Sequence, residues 1–93
     1  MEFGVTMFPT DFSIGPVELA IAVEERGLDA LFVPDHTHIP AGSDEAFRIA
    51  DKMPLDYSHN VDMFISLAAA AAVTKRIRLG TGICLVVERD PII

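Results

Sequence analysis

Apolar segments of strand length alternate with helical segments along this chain of 93 residues. Three segments predict strands buried on both faces, because apolar side chains dominate them without a regular polar alternation: Phe3 to Phe8, Ala30 to Val33 and Ile77 to Val87. A helical pattern separates each strand from the next. This order is typical of a parallel sheet covered by helices, with right-handed connections. The fold class is therefore α/β, either an open doubly wound sheet or a closed eight-stranded barrel.

Residues at the helix ends support this order of elements. Pro16 suits the first position of a helix, where no backbone N–H is needed, and Gly27 suits the left-handed residue that ends it. A second helix is predicted from about Val61 or Asp62 to Val73, with a wide apolar face that packs on a sheet. The first strand, first helix and second strand therefore form a βαβ unit.

Two other segments are less regular. Residues 34–60 contain no long periodic pattern, although Ser43 to Ala50 can form a short capped helix. Asp90 and Pro91 predict the start of a third helix, close to the last residue, Ile93. Three strands are too few to close a barrel, so we expect an incomplete part of an active-site scaffold with an open sheet edge.

Composition excludes several classes of partner. The formal net charge is −7 at pH 7, with seven basic and 14 acidic residues, which argues against nucleic acid and anionic membranes. The N-terminus lacks the pattern of a secretory signal, and the longest apolar run, Leu67 to Val73, is too short to span a bilayer. Cys84 is the single cysteine and cannot form an internal disulfide. We therefore expect a cytoplasmic protein.

Polar residues with catalytic chemistry follow the second strand, at the edge where α/β proteins place their ligands. Asp35, His36 and His38 lie here within four residues. One interpretation makes His36 and His38 metal ligands of a hydrolase, although only two ligands are secured. A second makes His36 an acid, a base or a donor to substrate, with Asp35 tuning its charge. A third leaves all three as a polar rim.

The third strand contains a glycine where a buried strand usually has a larger residue. Gly82, between Thr81 and Ile83, indicates a bulge, the close approach of a ligand, or ordinary barrel curvature. No helix follows at once, which disfavours a dinucleotide-binding loop. Cys84 is predicted to be a small buried apolar residue. The charged pair Glu88 and Arg89 is predicted to be a solvated strand end.

Three segments together resemble the luciferase-like monooxygenase family, most closely its coenzyme F420-dependent oxidoreductases. These segments are Phe3 to Val5, Glu24 to His36 and Arg76 to Ile83. The resemblance implies that residues 1–93 form about the first three βα units of a TIM-type (β/α)8 barrel, incomplete in this chain. It also implies hydride transfer between F420 and a small organic substrate, or an FMN-dependent monooxygenase reaction.

The resemblance assigns roles to five residues. Asp35 and His36 match an Asp-His pair beside the reactive face of the cofactor ring, where the histidine acts as acid or base or binds substrate. Thr81, Gly82 and Ile83 match the segment behind that ring, where F420-dependent relatives carry a non-proline cis peptide at the position of Gly82 and Ile83. His38 has no such assignment. The family's phosphate-binding segments come from later strands, so we expect little catalytic power from these residues alone.

One other interpretation concerns assembly. A chain with an open sheet edge and exposed apolar faces can be a non-catalytic piece that pairs with another copy or with a complementary barrel segment. A homo-oligomer or such a complement is therefore an expected partner, besides the small-molecule substrate.

Overall fold

A computed structural model describes residues 1–39 and 55–92. Its elements are strand β1 (Gly4–Thr6), helix α1 (Pro16–Glu25), strand β2 (Ala30–Val33), a 3-10 turn (Leu55–Ser58), helix α2 (Met63–Val73), strand β3 (Arg78–Thr81) and a second 3-10 turn (Val86–Glu88). The α/β class predicted from the sequence is confirmed. The short helix predicted at 43–50 lies outside the described residues.

The three strands form one parallel sheet in the order β1-β2-β3. Leu31 of β2 lies in register between Val5 of β1 and Leu79 of β3. These side chains share the face that packs on the helices, because successive residues of a strand point to opposite faces. Phe32 belongs to the opposite face, which neither helix covers.

The core lies between the sheet and the two helices. Its buried members are Ala20, Val23, Leu31, Ala70 and Ile77. Small residues such as Ala20 and Ala70, both at most 1% exposed, allow the two helices to approach each other and the sheet closely. Burial of a large aliphatic side chain such as Leu31 contributes about 1.5 to 3 kcal/mol. The core therefore holds β2 firmly, and β2 leads directly into the candidate site.

Local signals predicted the helix ends correctly. Pro16 is the first residue of α1, and Gly27 has a φ of 74°, in the left-handed region. Asp62 caps α2, because its Oδ1 accepts a hydrogen bond from the backbone N–H of Ile65 at 2.9 Å. Helix α2 contains no charged residue, yet among the described residues no helix is both long and apolar enough to cross a membrane.

Both outer strands are shorter than predicted, and the expected burial of both is wrong, since Arg78 of β3 is exposed and the other residues of that strand are half-buried. Gly4 and Thr6 of β1 are exposed, because the described residues pair this strand on one side only and the helices cover one face. The ladder between β2 and β3 ends where the Gly82 N–H donates to the Val33 carbonyl at 2.9 Å. Pro34 follows and offers no N–H, so the sheet cannot continue there.

A carboxylate fixes the turn that leads from α2 into β3. Glu24, near the end of α1, accepts hydrogen bonds from the backbone N–H groups of Lys75, Arg76 and Ile77 at 2.7 to 3.2 Å. We call this group the Glu24 clasp. These hydrogen bonds, led by the one from Arg76, lower the pKa of Glu24. The clasp sets the entry point of β3 at the N-terminal end of the sheet.

Phe32 lies on the open face of the sheet and is 39% exposed. Glycines occupy the neighbouring strands beside it. A Cβ on Gly80 would lie 2.7 Å from Cε1 of the Phe32 ring, and one on Gly4 would lie 3.6 Å from Cε2. The Phe32 ring therefore occupies space that a side chain at residue 80 would need.

Candidate functional site

The segments that follow the three parallel strands meet at one edge of the sheet. The segment after β1 is joined to the approach to α2 by two backbone hydrogen bonds. The Val61 N–H donates to the Pro9 carbonyl at 3.0 Å, and the Asp11 N–H donates to the His59 carbonyl at 3.3 Å. The side chain of Asn60 donates to the His36 carbonyl, after β2, at 3.3 Å. These contacts bring residues from distant parts of the sequence to one site.

Asp35 lies at this edge with a completely buried side chain. Its carboxylate receives two hydrogen bonds from Arg89, from Nε to Oδ2 at 2.7 Å and from Nη2 to Oδ1 at 2.5 Å. This two-point geometry is the strongest form of carboxylate recognition by a side chain. The hydrogen bonds from Arg89 hold the pKa of Asp35 below its ordinary value, against the opposing effect of burial. Asp35 is therefore an anion in the folded protein.

Arg89 also contacts the start of α2. Its Nη2 donates to Oδ2 of Asp62 at 3.2 Å, and its guanidinium carbon lies 4.7 Å from the centre of the Phe64 ring. We call Asp35, Asp62, Phe64 and Arg89 the Arg89 cluster. The prediction that Arg89 belongs to a solvated strand end is wrong: its side chain is only 22% exposed. A buried carboxylate at the end of β2 requires a cation, and Arg89 supplies it.

Glu88 likewise departs from the predicted solvated end. It is half-buried, and its Oε2 accepts hydrogen bonds from the Thr37 N–H at 3.0 Å and the Thr37 hydroxyl at 2.8 Å. The backbone hydrogen bond from Thr37 is the main cause that lowers the pKa of Glu88. The segment after β3 therefore forms hydrogen bonds with the segment after β2 through two consecutive residues, Glu88 and Arg89.

His36 lies within a small aromatic group. Its ring packs edge-on against Tyr57, with centroids 5.0 Å apart, and lies 6.0 Å from the ring of Phe8. Its Nδ1 is buried and has no hydrogen-bond partner among the described residues. Aromatic packing of this kind restricts the ring, and the buried Nδ1 leaves Nε2 as the nitrogen that can exchange a proton with a bound molecule.

His38 is exposed, and its Nδ1 lies 2.9 Å from the hydroxyl of Thr37. His36 and His38 both line a cavity of about 270 Å³, together with Tyr57 and Asn60. Among the described residues no group of three or more histidine, cysteine or acidic side chains is arranged to hold a metal ion. Within residues 1–39 and 55–92 the geometry thus offers no third ligand for a metal site at His36 and His38.

The Thr81 to Ile83 segment lies at the end of β3, on the same edge of the sheet. Gly82 is exposed and Ile83 is 56% exposed. A Cβ on Gly82 would meet nothing closer than 3.7 Å, so packing alone does not require glycine at this position. The described residues contain no cis peptide bond, so the bond between Gly82 and Ile83 is trans, unlike the cis bond that the family resemblance implied.

A second, larger cavity of about 550 Å³ lies between α2 and the segment after β3. Phe64, Cys84, Val86 and Pro91 give it a largely apolar wall, and Arg89 borders it. Cys84 is half-buried and lies outside β3, so its predicted place in mid-strand is wrong, because the strand ends at Thr81.

Sequence reasoning missed Arg89, Tyr57 and Asn60 as parts of this site. The isolated Asp35 after an apolar strand signalled that a cation must come from elsewhere, but not which one. Asp62 was predicted only as a possible first residue of the second helix, although it caps α2 and also contacts Arg89. Asp90 was identified as a cap, and its Oδ1 accepts from the Ile92 N–H at 2.8 Å.

Comparisons with known proteins agree with this geometry. The chain is 41% identical over 95 aligned residues to uncharacterised proteins of Mycobacterium bovis and of two Mycobacterium tuberculosis strains. The alignment covers 99% of this chain and 34% of each relative, so the chain spans about a third of their length. No solved structure shows significant similarity to it. Residues 15–93 match the profile of the luciferase-like monooxygenases, and the chain belongs to that family.

Proposed function

We propose that this chain supplies the first three βα units of a TIM-type barrel that transfers hydride between coenzyme F420 and a small organic substrate. Members of the family use flavin or F420 cofactors. The parallel order β1-β2-β3, with its polar residues at the C-terminal edge, is what the opening of such a barrel requires. Because the chain spans about a third of its relatives, the activity belongs to the whole barrel.

The observation that carries the proposal is the environment of His36. An imidazole packed against Phe8 and Tyr57, with Nδ1 buried and without a hydrogen-bond partner among the described residues, is poised to act through its other nitrogen. Such a group can donate a proton to a substrate or accept one from it, which contributes about 10²- to 10⁴-fold to the rate. The carboxylate of the preceding residue, Asp35, is held in place by Arg89.

The residues at the end of β3 fit a planar ring. Gly82 and Ile83 are exposed, and the absence of a side chain on Gly82 leaves room for a flat group to approach the backbone. When bound, F420 supplies the hydride chemistry, and Thr81, Gly82 and Ile83 would support its ring. The neighbouring 550 Å³ cavity offers apolar surface to the same group.

A cofactor titration tests this proposal. The full-length protein should bind F420, followed by the fluorescence of the deazaflavin. Binding of FMN in place of F420 would instead favour an FMN-dependent monooxygenase of the same family. Binding of neither would overturn the proposal.

A variant at Gly82 locates the contact. Gly82→Val should weaken F420 binding, because the added methyl groups occupy the approach to the ring. Gly15→Val is the matched control, since a Cβ on Gly15 meets nothing within 4 Å and Gly15 lies at the N-cap of α1, outside the segment that follows β3. Equal affinity for the two variants would remove Gly82 from the cofactor contact.

Assembly is a second candidate function, and exposed apolar surface favours it. Phe64, Ile65 and Val73 of α2 are 43 to 69% exposed, and Phe3 and Phe32 are exposed on the sheet. A second copy or a complementary barrel segment would cover these faces. Sedimentation of residues 1–93 at low concentration tests this candidate: association is expected, and a compact monomer would count against it.

We also propose a cytoplasmic location, consistent with the single Cys84.

A further inference from the structure

The Arg89 cluster differs from an ordinary surface ion pair in its burial. Asp35 is completely buried at its side chain, and Arg89 is 22% exposed. The guanidinium uses Nε and Nη2 on Asp35, shares Nη2 with Asp62, and stacks on Phe64. Transfer of these charges out of water is costly, and the same volume filled by apolar groups would often be as stable. Stability alone therefore does not account for this arrangement.

The cluster bears directly on His36, which follows Asp35 in the chain. Two carboxylates interact with the charge of the His36 ring, those of Asp35 and Glu88. His38 and Tyr57 are the other titratable side chains that line the same cavity among the described residues. Glu88 is engaged by Thr37, and Asp35 is engaged by Arg89, so both carboxylates have partners that favour their ionised form. Neither is free to accept a proton from substrate.

We propose that Arg89 is a positioning residue that holds Asp35 as a fixed anion, so that within the Asp35 and His36 pair only His36 exchanges protons. This inference rests on the proposed function for the identity of the reaction, but not for the electrostatics. It separates the two residues of the Asp-His pair by role. Asp35 supplies charge and orientation, and His36 supplies the proton. Arg89 acts through Asp35 and need not touch substrate.

The test is NMR titration of the full-length protein without cofactor. In the unmodified protein, the Asp35 carboxyl carbon should show no ionisation step at or above the ordinary value of 3.8. An ordinary midpoint for Asp35 would overturn the proposal without any variant.

Arg89→Met removes the cation and leaves Asp35 buried. The pKa of Asp35 should then rise above its ordinary value, because burial is no longer offset. Arg89→Lys, which keeps the charge but loses the two-point geometry, should lower the pKa of Asp35 again, but only in part. A folded Arg89→Met protein with an unchanged Asp35 titration would reduce Arg89 to a structural role.

Asp62→Asn is the matched control. It removes the second partner of Arg89 but preserves an amide oxygen that can cap α2. Its Asp35 titration should match that of the unmodified protein, and a shift as large as that of Arg89→Met would overturn the assignment of the effect to the pair of Arg89 and Asp35. These readouts use no cofactor. If the protein binds neither F420 nor FMN, the proposed function is wrong and the role inferred for Arg89 is unaffected. If the titrations contradict the role of Arg89, the proposed function is unaffected.

Discussion

A carboxylate from a distant part of the sequence holds the segment before strand β3, and another holds the segment after it, but the two carboxylates bind different kinds of group. At the N-terminal end, Glu24 binds three consecutive backbone N–H groups of residues 75–77. At the C-terminal end, Asp35 binds the side chain of Arg89. The first contact, which we call the backbone tie, fixes the path of the chain whatever side chains residues 75–77 carry. The second contact, which we call the buried tie, places charged groups out of water at the edge of the sheet where the candidate site lies.

The largest effect is expected at the buried tie. Asp35→Asn should lower the free energy of unfolding by about 3 kcal/mol, because Arg89 would lose its main partner while remaining mostly buried. Asp62→Asn should cost less than about 1 kcal/mol, since Asp62 is 39% exposed and Asn can still cap α2. Urea unfolding of both variants measures the difference, and equal losses would mean that burial does not distinguish the two carboxylates.

The next effect contrasts the glycine inside β3 with the glycine at its end. Gly80→Ala should cost about 2 kcal/mol, because its Cβ would lie 2.7 Å from the Phe32 ring and force a shift. Gly82→Ala should change stability by no more than about 0.5 kcal/mol, since its nearest neighbour is at 3.7 Å. Thermal unfolding compares them. A large loss in Gly82→Ala would show that packing, rather than access for a ligand, explains that glycine.

A smaller loss is expected at the backbone tie. Glu24→Gln keeps the shape of the side chain but replaces one acceptor oxygen with a donor, so the clasp can no longer accept from all three N–H groups. The loss should be smaller than that of Asp35→Asn, because Glu24 is close to solvent and water can replace the lost contacts. Glu25→Gln, at the neighbouring exposed residue, should leave unfolding unchanged. Hydrogen exchange of the 75–77 amides should accelerate only in Glu24→Gln.

The smallest effect is a dependence of stability on pH. The folded-state pKa values of Glu24, Asp35, Asp62 and Glu88 are all lowered. Each group therefore stabilises the fold above its unfolded pKa, and that contribution is lost as pH falls through the folded value. Stability should be flat near neutral pH and should fall on acidification below about pH 4.5. Asp35→Asn should flatten this fall more than Glu24→Gln, and the opposite order would contradict the contrast between the two ties.

The sequence predicted those features whose causes are local. Pro16, Gly27 and Asp62 mark helix ends because each acts on its own turn of the backbone, and the structure places them as expected. The ends of β1 and β3 were predicted too far along the chain, because a strand ends where its neighbour stops pairing. The residues beyond Thr81 are apolar and resemble a strand, and their sequence does not show that the partner strand β2 has already ended before Pro34.

The candidate site also divides into features with local causes, which the sequence predicted, and long-range contacts, which it did not predict. His36 could be identified from its position after an apolar strand. Arg89 could not be identified as the partner of Asp35, because the two residues are 54 positions apart and a charged pair at a strand end usually lies in solvent. The roles of Thr81, Gly82 and Ile83 stay predictions. Their exposure makes contact with a ligand possible, and the cofactor titration decides it.

The packing of the Phe32 ring beside Gly4 and Gly80 limits which substitutions this sheet can accept during evolution. Because the ring fills the space that a side chain at residue 80 would need, bulk can be added at one of these positions only if it is removed at the other. Homologous sequences should therefore exchange volume between the two sites, with a small residue at 32 wherever residue 80 carries a side chain. Such paired substitutions would record how the strands of this sheet have stayed in register while their sequences diverged.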